Sequence, residues 1–243
     1  MNLDPLFKNP KMALTSLPAL SEINRLNQWI YEKAIPFSEG NILEVASGNG
    51  GISNSFVQQG VSLSLSDPKE HYCNSLRKQF GDDPRVKGIF HIDPLQEGFE
   101  TANAELLGSF DTVIALNLVE HSPINKIAVY NLNELLIPGG YLIAWLPVYT
   151  ALYMELDQGF NHWHKYNKES VKKMLPKSFV IIKMRYFNLI GIVGRFLSGY
   201  RLRENTDPLE QPTMFHELVP LFQIEDLAFG QKGLSTIVIA QKQ

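Results

Sequence analysis

The stretch that most limits how this chain can fold runs from Asn41 to Gly51, read as N-I-L-E-V-A-S-G-N-G-G. Ile42, Leu43 and Val45 form a short apolar run, and Gly48, Gly50 and Gly51 follow almost at once. Ile52, Phe56 and Val57 then recur at helical spacing. A buried strand that passes through a glycine-rich turn into a helix opens the nucleotide-binding half of a doubly wound α/β sheet. The glycines let backbone N–H groups approach a ligand with no Cβ in the way, and the helix start leaves donors unpaired. Glu44, a carboxylate inside the apolar run, is costly to bury unless a partner meets it. Val61 to Ser66 alternates and ends on Asp67, 19 residues after Gly48. An acid at the end of the second strand can accept hydrogen bonds from both ribose hydroxyls.

The rest of the chain repeats the alternation. Leu20, Ile23, Asn27, Ile30 and Ala34 predict an amphipathic helix over 19–34, ended by Pro36, after an arm that holds Pro5 and Pro10. Strands are expected at 41–46, 61–66, 86–91, 110–116 and 141–147, with helices at 52–59, 69–80 and 124–136. Gly60 and Gly81 sit where two of these helices stop. Phe179 to Tyr186 and Ser235 to Ala240 read as sixth and seventh strands. Helical patterns at Leu189–Leu197 and Phe215–Leu227 lie in the insertion between them. That insertion reads as a substrate lid, a dimer face, a membrane-touching patch or plain packing. Strands alternating with helices argue a mainly parallel sheet covered on both faces.

Glu44-Val45-Ala46-Ser47-Gly48-Asn49-Gly50 resembles the E-x-G-x-G-x-G motif of the class I S-adenosylmethionine-dependent methyltransferases. Ala46 stands where that family usually has its first glycine. Phe110 to Ala115 is similar to their fourth strand, and Leu136-Ile137-Pro138-Gly139-Gly140 to their turn into the fifth. The resemblance covers roughly residues 38–185. It implies a Rossmann-like α/β fold with a seven-stranded, mainly parallel sheet and an antiparallel last strand. It also implies S-adenosyl-L-methionine as cofactor, with Asp67 on the ribose and Asp93 near the adenine. Glu44, Ala46, Ser47, Gly48, Gly50, Pro68 and Asn117 would complete the cofactor site. The whole of 1–243 then reads as one domain: arm and helix 1–37, cofactor-binding core 38–147, substrate-side half 148–243. A nicotinamide-dependent oxidoreductase is the less favoured Rossmann reading, since those chains usually carry G-x-G-x-x-G and lack the strand glutamate.

At 243 residues and 44% hydrophobic content the chain suits a soluble globular core. Cys73 stands alone, so no internal disulfide can form. No apolar signal core opens the chain and no run approaches the ~20 residues of a membrane span, so a cytoplasmic protein is expected. Between Lys165 and Arg203 there are ten basic residues and one acid, Glu169, whereas everything else holds twelve basic and twenty-four acidic residues. Such a stretch is either a solvated face or an attraction to an anionic substrate, lipid headgroup or partner. It lacks the fold and aromatic interleaving of a nucleic-acid surface. The oligomeric state stays open, a homodimer included.

Methyl transfer needs positioning of the acceptor, and a base only when the acceptor is an alcohol or phenol. His121 follows the fourth strand, at the edge where ligands bind in such sheets. His162 shares the loop after the fifth strand with Asp157, which could orient its ring, and with Tyr166. Leu156-Asp157, His162, Tyr166 and Tyr186-Phe187-Asn188 with Gly191 also resemble a pattern in methyltransferases related to polysaccharide and cell-envelope loci. The favoured reading is an O-directed reaction on a small, lipid-linked or sugar-linked acceptor, with His162 or His121 as base. The chain has neither the Asn-Pro-Pro-Tyr type of tetrapeptide of amino-directed nucleic-acid methyltransferases nor a Pro-Cys nucleophile. No Cys or His-x₃-His partner joins His162 and His164 at metal-ligand spacing, so no metal is expected. An inactive cofactor-binding partner protein is the competing class, and Ala46 is its one support.

Overall fold

A computed structural model describes residues 28, 30–116, 125–147, 168–187 and 235–243. Seven strands form one sheet: β1 (Ile42–Val45), β2 (Leu63–Asp67), β3 (Val86–His91), β4 (Phe110–Leu116), β5 (Leu136–Pro147), β6 (Phe179–Phe187) and β7 (Ser235–Lys242). The helices are α1 (30–34), α2 (Gly51–Gln58), α3 (Glu70–Phe80), the short α4 (Phe99–Ala102), α5 (Asn125–Leu135) and α6 (Lys168–Met174). The spatial order is β3-β2-β1-β4-β5-β7-β6. β1 to β5 pair in parallel, and β7 runs antiparallel between β5 and β6. This is the expected α/β sheet, with the order reversing beside β1, where such sheets hold their ligands.

Side-chain alternation splits the interior into two cores. Leu43, Val45, Val113, Ala115, Leu142 and Leu146 face α5 and α6. Ile42, Leu63, Leu65, Ile114, Ile143 and Ile239 face α1, α2 and α3. Central strands buried on both faces explain why β1 reads as an almost unbroken apolar run. Of the expected helix at 19–34, residues 30–34 are described. Ile30 and Ala34 are buried, and Tyr31 meets Phe56 edge-on at 4.8 Å between ring centroids. That part of the helix therefore packs on the sheet.

Two local features depart from the sequence reading. Residues 136–140 were expected as a turn, yet β5 begins at Leu136, which pairs with Phe110 directly after α5. Asp111 alone then faces Ile137 to Gly140 before the register resumes at Thr112 and Tyr141. Pro138 has no N–H to give the ladder, so the strand accommodates it as a bulge. The 3-10 turn Ala104–Leu106 and α4 had no periodic signal, being too short to show one. The predicted helices at 189–197 and 215–227 lie outside the described residues.

Candidate cofactor site

β1 delivers Glu44 to the face of the sheet covered by α2, and its residue is 3% exposed. Ser53, one turn into α2 and fully buried, donates its hydroxyl to Glu44 Oε2. Ser66 and Ser47 donate theirs to the Glu44 carbonyl, at 3.1 and 3.3 Å. Hydroxyl partners solvate the carboxyl without neutralising it. Burial therefore pushes Glu44 up to about 7, with Ser53 and Ser47 opposing the rise and the nearby Asp67 adding to it.

The turn itself is held from β2. Asp67, also 3% exposed, accepts from the Gly48 amide at Oδ2 and from the Lys69 amide at Oδ1, both at 2.9 Å. The Ser47 amide donates to the Ser66 carbonyl at 2.9 Å and the Gly50 amide to the Ser47 carbonyl at 2.9 Å. A carboxylate offers about four acceptor sites. Two remain on Asp67 for a ligand. Gly50 caps α2 in the left-handed region at φ 73°, where a Cβ would lie 2.5 Å from Phe80 Cε2. Gly48, at φ 56°, has the opposite surroundings: a Cβ there would meet nothing within 4 Å.

Ala46 is the one non-glycine at positive φ among the described residues, at 59°. Strand-end residues usually keep negative φ, and that expectation fails here. The turn needs a left-handed residue directly after β1, so an L side chain is strained there by about 1 kcal/mol.

The Ile92 amide bonds to the Asp67 carbonyl at 3.3 Å, which brings the ends of β2 and β3 together. Asp93 follows, half-buried, with Oδ1 taking the Leu95 amide at 2.9 Å. Pro68 is half-buried beside it, and its carbonyl lies 2.9 Å from His91 Nε2. Cys73 is fully buried beneath this edge, its Sγ 3.4 Å from the carbonyls of Asp67 and Phe90. Glu44, Ala46, Ser47, Gly48, Gly50, Asp67, Pro68 and Asp93 thus converge on one end of β1 to β3. Asn117, His121, Asp157, His162 and Tyr166 lie outside the described residues.

Residues 43–144 match the family model of the methyltransferase domain. Those residues form a methyltransferase domain, with the fold of the class I S-adenosylmethionine-dependent enzymes. In sequence, this methyltransferase domain is similar to the highly reducing polyketide synthase bet1 of Neocamarosporium betae, 32% identical over 42% of this chain and 4% of the synthase. It is also similar to the ubiquinone biosynthesis O-methyltransferase of Azotobacter vinelandii, 28% identical over 50% of each protein. The chain thus spans a small part of the first relative and about half of the second. In fold it resembles a SAM-dependent methyltransferase from Archaeoglobus fulgidus, with a TM-score of 0.59 and 16% identity over 96% of this chain and 100% of that one. The cofactor of this domain is S-adenosyl-L-methionine, and the open space at Gly48 beside a carboxylate with free acceptor sites fits it.

Ser53 escaped the sequence reading. The signal was present: a glutamate buried in β1 requires a partner, and Ser53 is the polar residue that α2 turns toward the sheet.

Proposed function

We propose that the chain methylates an oxygen nucleophile on a small, lipid-linked or sugar-linked acceptor, in the cytoplasm. The observation that carries this reading is the Glu44–Ser53 and Gly48–Asp67 arrangement around the open glycine turn. Asp67 would accept from the ribose hydroxyls, and Asp93 and Pro68 would border the adenine. Glu44 and Asn117 would line the end nearest the sulfonium, while Ala46, Ser47, Gly48 and Gly50 shape the turn. When bound, S-adenosylmethionine supplies an electrophilic methyl group, so transfer is an in-line displacement that depends on positioning. His162, oriented by Asp157, would take the acceptor's hydroxyl proton, with Tyr166 placing the acceptor and His121 bordering the cofactor. The oxygen direction is supported by the O-methyltransferase relative of Azotobacter vinelandii. Among the described residues no helix is long and apolar enough to cross a membrane.

The test is incubation with S-adenosylmethionine and a panel of hydroxylated, carboxylated and amino-bearing acceptors. The expected product has gained one methylene unit, on oxygen. Methylation of carbon or nitrogen acceptors alone would refute the reading.

A second reading, a cofactor-binding subunit without turnover, has Ala46 at φ 59° in its favour. Strain of about 1 kcal/mol costs only about fivefold in affinity, which is too little to abolish binding. Catalysis is the better reading.

A further inference from the structure

β6 is an edge strand, and its outer side has no partner strand among the described residues. Its sequence, F-V-I-I-K-M-R-Y-F, contains no acid, and neither does β7. Phe179, Ile181 and Met184 turn toward one core. Val180, Lys183 and Arg185 alternate with them and therefore lie on the other face, the one that carries α1. The placement of Lys183 Nζ 5.1 Å from the Phe37 ring centroid agrees with this. Ile182 is the extra residue of a bulge, between Ile181 and Lys183. Val180 is 46% exposed and Ile182 is 49% exposed, large values for branched apolar side chains on a strand.

Cations flank this apolar pair along the chain, since Lys177 and Lys183 are both exposed. Across the face, α1 contributes Lys33. Its ammonium is held below the ordinary lysine range, first by burial and then by the charges of Arg185 and Lys183, with Glu32 opposing them. Positive groups from two elements thus lie close together, and their summed potential favours an anionic surface.

We propose that this face of β6 docks on an anionic lipid bilayer. Free phosphate would use the cations and leave Val180 and Ile182 in water. A bilayer takes both, the cations at the headgroups and the apolar pair at their base. β6 runs parallel to β5, since both are antiparallel to β7, so the Arg185 end points to the same sheet edge as the glycine turn. Docking would therefore bring the mouth of the domain to the membrane. The proposal goes beyond methyl transfer and does not depend on it.

Co-sedimentation of the full chain tests it, with vesicles of phosphatidylcholine alone and of phosphatidylcholine and phosphatidylserine in equal parts. The chain should pellet with the mixed vesicles at low salt and be released as salt rises. Exchanging Lys177→Gln and Lys183→Gln together should weaken binding about fivefold for each cation removed. Val180→Ser with Ile182→Ser should weaken it as well while leaving the salt dependence. All four positions are exposed, and circular dichroism verifies the fold; the single Lys183→Gln variant serves if a double variant fails. Equal pelleting with both vesicle types overturns the proposal, as does wild-type pelleting by either double variant. Failure to pellet at all, with retention on immobilised polyglutamate, overturns it in favour of an acidic protein segment.

Discussion

The backbone amide of Gly48 donates to the side chain of Asp67 across 19 residues of chain, at 2.9 Å. The residue proposed to hold the ribose thus also fastens the turn beneath it. Asp67→Ala should weaken S-adenosylmethionine binding by about 1.5–3 kcal/mol, because a charged acceptor is lost. It should also lower the stability of the ligand-free protein by about 1–3 kcal/mol, because the Gly48 and Lys69 amides lose their acceptor. Calorimetry and urea unfolding separate the two effects. Unchanged affinity would place the ribose elsewhere.

Ala46→Gly should tighten cofactor binding by up to about 1 kcal/mol and stabilise the turn, since the residue sits at φ 59°. A titration series with the wild type is sufficient. Lower affinity in the variant would mean that the alanine methyl group itself touches the ligand.

Gly50 and Gly48 should respond differently to the same substitution. Gly50→Ala drives a Cβ to 2.5 Å from Phe80 Cε2 at φ 73°. Overpacking of that kind costs about 1–3 kcal/mol of stability. Gly48→Ala meets no protein atom within 4 Å, so its folding cost is about 1 kcal/mol of backbone strain, while the added methyl enters the space proposed for the ligand. Thermal unfolding should single out the first variant and cofactor affinity the second. Equal effects on both measurements would argue against an open cradle at Gly48.

How much of this could be read from the chain depends on distance along it. Glu44, the glycines and Asp67 announce themselves because strand, turn and strand follow one another with the right spacing. The backbone angle at Ala46 does not, since it is set jointly by β1, the Ser47–Ser66 bond and α2. The bulge at 137–140 was equally hidden. Pro138-Gly139-Gly140 carries the composition of a turn, and only pairing of Leu136 with Phe110 makes it part of a strand. The bond from Gln241 Nε2 to the Gly139 carbonyl, 2.9 Å and 102 residues away, belongs to the same class of information.

Glu44 supplies a pH dependence. Its folded value of about 7 lies above the ordinary 4.5, so the folded state binds the proton more tightly. The stability this contributes is fully present below 4.5 and is lost as pH rises to about 7, a few kcal/mol by linkage. Glu44→Gln should flatten that slope. Urea midpoints for both proteins across this window are the measurement, and parallel curves would show that Glu44 is already ionised. A cofactor that brings positive charge to Glu44 should also release a proton on binding, seen as buffer-dependent heat.

The proposed base gives the last expectation. With a hydroxyl acceptor, His162→Ala should lower kcat by about 10²–10⁴ at nearly unchanged cofactor affinity. Activity should fall with acid through an apparent value of about 6.5. His121→Ala should instead alter cofactor binding. A flat pH profile with a mild His162 effect would point to a carboxylate acceptor.

β7 follows both β5 and β6 in the chain yet lies between them, with Ser235 aligned to Pro147 on one side and Phe187 on the other. During synthesis β6 can complete its ladder only after β7 has been made. The parallel half, with its glycine turn, has no such wait. A nascent chain is therefore expected to acquire the cofactor-binding edge before its outer strands join. Pulse-labelled hydrogen exchange should find β1 and β4 protected ahead of β6, and simultaneous protection would rule that order out.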